Sequence, residues 1–277
     1  MDRIRRGFRL VGASWSVVKS DRELLLLPVV SFVCMIAVGV VLGGAAWAIG
    51  LPGAGQSLSP VQYLILAAFY FCTTFIAVFF NAAIVGAATI RLQGGDPSLS
   101  DGLRLAWSHV GKIVAWSAVT ATVGMILRSL EERAGLIGRI VIGIIGVAWS
   151  AVTFFVVPVL LYEPLGTVDS IKRSATLFKQ RWGEQFVGNA SIGIVLFLAA
   201  IPVIAVAILL ASVVPVLGIA VGVLGIGLLA TVSTTMTGVF NAALYRYATT
   251  GEASAPFSSD DLHGAFRPKR SGGILGS

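Results

Sequence analysis

Charged residues are scarce in this chain. Asp, Glu, Lys and Arg make up only 12% of its 277 residues, whereas 56% are hydrophobic, and the mean hydropathy is +0.90. Soluble domains carry about 25% charged residues, so this composition excludes an ordinary soluble domain. All 13 acidic residues fall in loops, in tails or near the ends of long apolar runs. Because ion-coupled transporters usually keep an ionisable residue in the middle of the membrane, the sequence does not favour an ion-driven pump.

Histidine and cysteine are equally rare, with two residues of each kind. His109 falls in a predicted amphipathic helix and His263 in the C-terminal tail, so the ligands of a metal site are lacking. Glu131 and Glu132 resemble the Glu-Glu pair of CAAX-type intramembrane proteases, but Leu136 occupies the position where that pattern requires Arg. The two cysteines fall within apolar runs and are expected to pack there as small hydrophobic side chains. The sequence therefore predicts no catalytic residue, no cofactor and no metal, and we expect the protein not to be an enzyme.

Long apolar runs are abundant instead. A membrane-spanning helix needs about 20 consecutive apolar residues, and it must be helical because lipid offers no hydrogen-bond partner to the backbone. The first run is too long for a cleavable signal peptide. We therefore predict an all-α, polytopic membrane protein in which residues 1–250 form one domain and residues 251–277 form a disordered cytoplasmic tail. The six predicted transmembrane helices are 24–49, 61–88, 112–130, 138–162, 186–211 and 215–245.

The basic residues predict the orientation of these helices. Of the 20 Lys and Arg residues, 17 fall in the N-terminal segment, the second and fourth loops and the C-terminal segment. The other three are Arg128, Arg133 and Arg139. By the positive-inside rule, both termini are cytoplasmic, and we expect a multi-pass protein of a prokaryotic cytoplasmic membrane. The same rule accounts for the net charge of +7 without any nucleic-acid partner.

Two segments of ten residues match one another. FNAAIVGAAT at 80–89 and FNAALYRYAT at 240–249 are identical at six positions in register. The match indicates a duplication, although a chain rich in alanine also produces such matches by chance, and both explanations stay open. The corresponding stretch of the middle of the chain, which begins at Phe154, has no Asn and departs from the pattern.

A second pattern precedes each odd-numbered span. Apolar residues recur there at the i, i+4, i+7, i+11 spacing of a single helix face. An Asp stands two residues before the first apolar position each time, at Asp2, Asp101 and Asp169. The sequence thus predicts a pseudo-threefold repeat, each unit a cytoplasmic amphipathic interfacial helix followed by a transmembrane hairpin. The predicted units are residues 2–95, 96–165 and 166–250, and the apolar positions are Ile4, Phe8, Val11 and Trp15; Leu103, Trp107, Val110 and Val114; and Ile171, Ala175, Phe178 and Trp182.

The three predicted amphipathic helices also carry basic residues, and two roles are open for them. The helices brace the hairpins in the headgroup layer, or they form a collar that binds a specific anionic lipid headgroup or an acidic partner. Membrane lipids with anionic headgroups are the expected partners, and an unidentified membrane or cytoplasmic protein is a further candidate. We call the following eight the collar residues: Arg5, Arg6, Arg9, Arg104, Lys172, Arg173, Lys179 and Arg181.

Three asparagines fall within or beside the apolar runs, namely Asn81, Asn189 and Asn241. An amide at such a position can hydrogen-bond to a neighbouring helix and so strengthen helix packing. Alternatively, the three side chains line a polar vestibule. The sequence does not decide between an interhelical contact and a vestibule.

The following segments carry a resemblance to a known family: RLQGGDPSLSDGL (91–103), FFVVPVLLYE (154–163), RSATLFKQRWGEQFVGN (173–189) and the two FNAA segments. They resemble an uncharacterised family of six-span prokaryotic integral membrane proteins, which is defined as a domain of unknown function. The resemblance covers residues 1–250; it implies the topology and carries over no catalytic or binding residue. We therefore expect a non-enzymatic membrane scaffold, an assembly factor or a lipid-interacting component. The alternative is a transporter or exporter of small solutes or lipids.

Overall fold

The structure is a computed structural model of the chain. It describes the backbone of residues 2–50 and 59–257, and the side chains of these residues except 2–8, 22 and 180–191. Most of the predicted tail, residues 258–277, lies outside the described residues. The seven tail residues that are described begin at Gly251, and they include Phe257, whose side chain is buried.

The described residues form helices and contain no strand. A short 3-10 turn, Arg22–Leu25, separates the first two helices. The helices are α1 (Asp2–Ser20), α2 (Leu26–Ile49), α3 (Pro60–Leu92), α4 (Leu99–Ser108), α5 (Val110–Arg133), α6 (Leu136–Val152), α7 (Val156–Tyr162), α8 (Thr167–Val213) and α9 (Pro215–Thr250).

Six helical segments are long and apolar enough to cross a membrane, which confirms the predicted number of spans. In the most apolar 18-residue stretch of each span, at most 22% of the residues are buried within the protein. Most span side chains are therefore available to lipid, as expected of a multi-pass membrane protein. The six segments are Glu23–Ile49, Pro60–Leu92, Val110–Arg133, Leu136–Tyr162, Ile192–Val213 and Pro215–Thr250.

Local sequence signals explain where the helices begin and end. Ser59 caps α3 in a reciprocal capping box with Gln62, and Pro60 occupies the first turn, where its missing N–H is tolerated. After α3, Gly94 takes a left-handed φ of 85°, a conformation that favours glycine. Gly251 ends α9 in the same way. The break after α3 falls at the Gly-Gly-Asp-Pro sequence of residues 94–97, which combines two residue types that end helices.

The third predicted amphipathic helix is continuous with the fifth span. Helix α8 runs without interruption for 47 residues from Thr167, whereas a non-helical connection separates α3 from α4. The difference has a sequence cause, because nothing like the Gly-Gly-Asp-Pro break occurs between residue 167 and the span. Pro202 lies inside α8 without ending it.

The chain folds as two compact units. One comprises Asp21–Phe178, and the other comprises Met1–Ser20 together with Lys179–Ser277. In the first unit, α3 contacts α2, α4, α5 and α7; in the second, α1 contacts α9. The single domain predicted for residues 1–250 stays a prediction.

Burial is concentrated at one end of the long helices. In α3 the buried residues begin at Phe79, and in α9, apart from Gly218, they begin at Thr235. These are the halves nearer the segments that carry the collar residues. We call the end of each span next to α1, α4 or the start of α8 the collar end, and the opposite end the far end.

Candidate functional site

Helix α4 is locked against α3 by small side chains. A Cβ added to Gly102 would lie 2.6 Å from the carbonyl oxygen of Ala83, and one added to Gly86 would lie 2.6 Å from a methyl carbon of Leu105. Ala106, one turn after Gly102, is fully buried. Both α3 residues belong to the FNAAIVGAAT segment, so that segment provides the surface on which α4 lies.

The start of α4 is held by two carboxylates. Ser98 is the N-cap and forms a capping box with Asp101, whose backbone N–H donates to the Ser98 hydroxyl. The Ser98 hydroxyl and N–H donate to the Asp101 carboxylate at 2.6 and 3.0 Å and hold the pKa of that carboxyl below its ordinary value. Glu23 accepts from the N–H of Leu99 at 2.7 Å. Negative charge at a helix start is favourable, so Glu23 fixes α4 to the base of the first span.

Asp21 is buried beside this junction. One of its oxygens accepts from the N–H of Glu23 at 3.3 Å, and the other is buried without a hydrogen-bond partner among the described residues. Burial raises the pKa of Asp21, while the Glu23 N–H and the positive charge of Arg91 act in the opposite direction. A carboxylate in this position is unfavourable unless it is protonated or paired.

Helix α8 begins against a break between α6 and α7. The Ser174 hydroxyl is fully buried; it accepts from the N–H of Phe155 at 3.0 Å and donates to the carbonyl of Val152 at 2.6 Å. Because backbone groups at a helix end need partners, Ser174 stabilises the interruption of the fourth span.

Charged contacts hold the same region together. The Nε of Arg173 donates to both carboxylate oxygens of Glu163 at 3.1 Å. Lys112 from α5 donates to the carbonyls of Leu160 and Glu163 at 3.2 Å, at the C-terminal end of α7, where a cation is favoured by the helix dipole. The side chains of Arg173 and Lys112 are thus engaged in contacts within the protein.

The second and third predicted amphipathic helices pack with equivalent positions. When Asp101 is aligned with Asp169, Gly102 falls on Ser170 and Ala106 falls on Ser174. All four are buried, whereas Arg104 and Lys172, also equivalent, are both exposed. In the first helix the corresponding side chains lie outside the described part of the structure.

In the other unit, α1 packs on α9 in a comparable way. Leu10, Ser14 and Val17 form a buried face of α1. The segment FNAALYRYAT of α9 is buried over most of its first eight residues. Both matching segments are therefore buried in helices that contact a predicted amphipathic helix, α4 in one unit and α1 in the other.

In the second predicted amphipathic helix, the predicted apolar face is not the face that packs most closely on the spans. Trp107 is 67% exposed and touches Phe79 only edge to edge, with ring centroids 6.1 Å apart, and Trp15 is 44% exposed. Sequence reasoning missed the face of Gly102 and Ala106 because small residues contribute little to hydrophobic periodicity. A search for small residues at i, i+4 spacing would have found it.

The collar residues with described side chains are largely accessible. Arg9, Arg104, Lys172 and Lys179 are exposed, and Arg173 is half-buried against Glu163. Lys172 also pairs with Asp169 at 3.2 Å, an exposed pair of little energetic weight. The side chains of three predicted collar residues lie outside the described part of the structure: Arg5, Arg6 and Arg181.

The predicted asparagines fall in different places. Asn241 is 6% exposed in α9, in one unit, and Asn81 is half-buried in α3, in the other. The side chain of Asn189 lies outside the described part of the structure. Whether these residues serve packing or a vestibule stays a prediction.

Reactive groups do not cluster in the part of the chain that the structure describes. No three His, Cys, Asp or Glu side chains there come together to hold a metal ion. Cys34 and Cys72 are free thiols and half-buried. Glu132 of the predicted acidic pair binds Arg128 at 3.2 Å in an exposed i, i+4 ion pair.

The fold defines the class of protein: a helical, multi-pass membrane protein with six candidate spans. The chain belongs to DUF6159, a family of unknown function, whose model matches residues 60–255. The predicted membership of an uncharacterised multi-span membrane family is confirmed, with the matched region beginning at the second span. No curated protein and no solved structure matches the chain.

Proposed function

We propose that this protein is a non-enzymatic membrane component, a scaffold or assembly factor, that binds anionic lipid headgroups through its collar residues. The observation that carries the proposal is the matched exposure of Arg104 and Lys172. Their helices are fixed in rotation by the buried pairs Gly102–Ala106 and Ser170–Ser174, so the two bases are presented outward at equivalent positions.

The proposal includes the topology that such binding requires. The three basic segments lie along the inner leaflet of a prokaryotic cytoplasmic membrane, with both termini in the cytoplasm. This orientation places 17 of the 20 Lys and Arg residues in the cytoplasmic segments, and the positive-inside rule supports it for that reason. The equivalent packing of the second and third helices supports a pseudo-threefold repeat, as does the burial of both FNAA segments in helices that contact a predicted amphipathic helix. The exposed apolar side chains of Trp107 and Trp15 suit the headgroup boundary, where tryptophan is enriched.

Lipid retention by the purified protein tests the proposal. The triple variant Arg104→Gln, Lys172→Gln, Lys179→Gln should lose affinity for phosphatidylglycerol by about fivefold for each base, because each contributes about 1 kcal/mol near an anionic surface. Native mass spectrometry with equal amounts of phosphatidylglycerol and phosphatidylcholine measures the change.

The matched control is the double variant Arg133→Gln, Arg139→Gln, which removes two arginines near the far ends of α5 and α6. It should keep the preference of the wild-type protein for phosphatidylglycerol. Equal retention of this lipid by the wild-type protein and the triple variant would contradict the proposal.

Transport of small solutes or lipids is the second candidate. The observation in its favour is Pro202, inside α8. Because proline has no N–H, it cannot donate the usual helical bond to the carbonyl of Leu198, and transporters use backbone carbonyls released from helical bonding to bind ions. Transport predicts movement of a fluorescent lipid across proteoliposomes above the rate in protein-free vesicles, with a lower rate for Pro202→Ala. Equal rates with and without protein would exclude lipid movement.

A further inference from the structure

A groove opens between α3, α5 and α6 near the far ends of these helices. Its volume is about 400 Å³, within the range of small-molecule sites. Three glycines line it, together with the polar side chains of Tyr70, Arg128 and Glu131. The glycines are Gly124, Gly143 and Gly146.

The groove exists because α6 lacks side chains where it faces α5. A Cβ added to Gly143 or Gly146 would meet no atom within 4 Å. At Gly124 a Cβ would instead touch the ring of Tyr70 at 3.4 Å. Larger residues at the two α6 positions would therefore fill the space without a backbone clash.

The charges around the groove favour a ligand that carries both signs. Arg128 is paired through its Nε with Glu132 at 3.2 Å, and its guanidinium also interacts with the Tyr70 hydroxyl. Glu131 is the carboxylate among the lining residues and Arg128 is the guanidinium, so the lining carries one charge of each sign. A purely anionic headgroup would offer Glu131 no cation, whereas a zwitterion can place a phosphate near Arg128 and an ammonium group near Glu131.

The charged groups of the groove lie nearer the far ends of their helices than the α6 glycines do. Arg128 lies five residues before the end of α5, about 8 Å along the helix. Gly143 and Gly146 lie seven and ten residues after the start of α6, about 10 and 15 Å along that helix. Arg128 and Glu131 are thus near the headgroup level, whereas Gly143 and Gly146 extend the groove toward the hydrocarbon.

We propose that this groove binds one phospholipid with a phosphoethanolamine headgroup. The phosphate accepts hydrogen bonds from Arg128 and the Tyr70 hydroxyl, and the ammonium group donates to Glu131. One acyl chain lies along Gly143 and Gly146. This site is separate from the collar residues and does not depend on their binding anionic lipid.

Native mass spectrometry of the full chain tests the site, with ethanolamine, glycerol and choline phospholipids of identical acyl chains in equal amounts. The collar triple variant Arg104→Gln, Lys172→Gln, Lys179→Gln is the parent protein for this test, because glycerol lipid held by the collar residues would otherwise mask the preference of the groove. It should retain the ethanolamine lipid preferentially. Arg128→Gln should reduce its retention about tenfold, since a hydrogen bond to a charged group is lost. Glu131→Gln should keep a bound lipid but lose the preference for ethanolamine over glycerol. Gly146→Leu should reduce retention of all three lipids at this site.

Two controls distinguish the groove from general effects. Gly111→Leu places the same side chain at an exposed position at the collar end, where a Cβ meets nothing within 4 Å, and Arg139→Gln removes another far-end base. Both, added to the collar triple variant, should leave the retention of the ethanolamine lipid unchanged. Equal retention of ethanolamine and glycerol lipids by the collar triple variant would overturn the proposal, as would unchanged retention when Arg128→Gln is added to it. If Gly146→Leu does not fold, the two polar variants decide the outcome.

Discussion

At the scale of single residues, the Ser174 hydroxyl joins two helix ends across the break in the fourth span. It bonds to the Phe155 N–H and the Val152 carbonyl in a fully buried position. We expect Ser174→Ala to reduce the stability of the protein by about 1–3 kcal/mol, the range for a lost buried hydrogen bond. Thermal unfolding in detergent micelles measures the change.

Thr176→Val is the matched control for Ser174→Ala. The Thr176 hydroxyl is exposed and bonds only to the Lys172 carbonyl of its own helix, at 3.0 Å. Its loss should change the melting temperature little. Equal melting temperatures for Ser174→Ala and the wild-type protein would show that the bridge does not stabilise the break.

Asp21 makes the stability depend on pH. Because burial raises the pKa of Asp21, the folded state binds its proton more tightly than the unfolded state does, and the contribution of Asp21 to stability falls as pH rises past its ordinary pKa. Asp21→Asn keeps an acceptor for the Glu23 N–H and removes the charge. We expect it to be more stable than the wild-type protein at pH 7, by the order of 1 kcal/mol, and equal at about pH 3, below the ordinary pKa of Asp.

The control is Glu252→Gln, which neutralises an exposed carboxylate and should have little effect at either pH. If the advantage of Asp21→Asn were the same at pH 3 and pH 7, its charge would not be the cause.

At the scale of elements, the sequence predicted the spans and the start of α4 but not the way α4 packs. Twenty-residue averages of hydropathy locate spans reliably, and Ser98 is a strong capping signal. The packing face of Gly102 and Ala106 carries almost no hydrophobic signal, and the match with Ser170 and Ser174 becomes visible only when burial is known. The sequence pattern also does not show the continuity of α8, because an Asp-led amphipathic segment predicts a separate helix.

The contact between α3 and α4 predicts a steric effect. Gly102→Ala places a Cβ 2.6 Å from the Ala83 carbonyl oxygen, and a backbone atom of a packed helix cannot easily move away. We expect a loss of about 1–3 kcal/mol, as for other overpacked positions, measured by thermal unfolding. Gly111→Ala is the control, because its Cβ meets nothing within 4 Å; it should be neutral or stabilising, since alanine favours a helix. Similar melting temperatures for the two variants would contradict the close contact.

At the scale of the whole molecule, the distribution of charge could be predicted from the sequence, whereas the far-end groove could not. Counting bases loop by loop requires no knowledge of contacts. The groove brings together Tyr70, Arg128 and Gly143 from three helices, and no local spacing relates them. Four of the eight collar residues are exposed, and their binding to anionic lipid stays a proposal.

The central claim is that the collar residues face the cytoplasm, and cysteine labelling in intact cells tests it most directly. Cys34 and Cys72 are first replaced by Ser, and single cysteines are then introduced by Arg104→Cys, Lys172→Cys and, at the far end, Leu136→Cys. All three positions are exposed. A membrane-impermeant maleimide should label Leu136→Cys in intact cells and the two collar variants only after the membrane is opened. Labelling of Arg104→Cys or Lys172→Cys from outside intact cells would contradict the orientation and the lipid-binding role proposed for the collar.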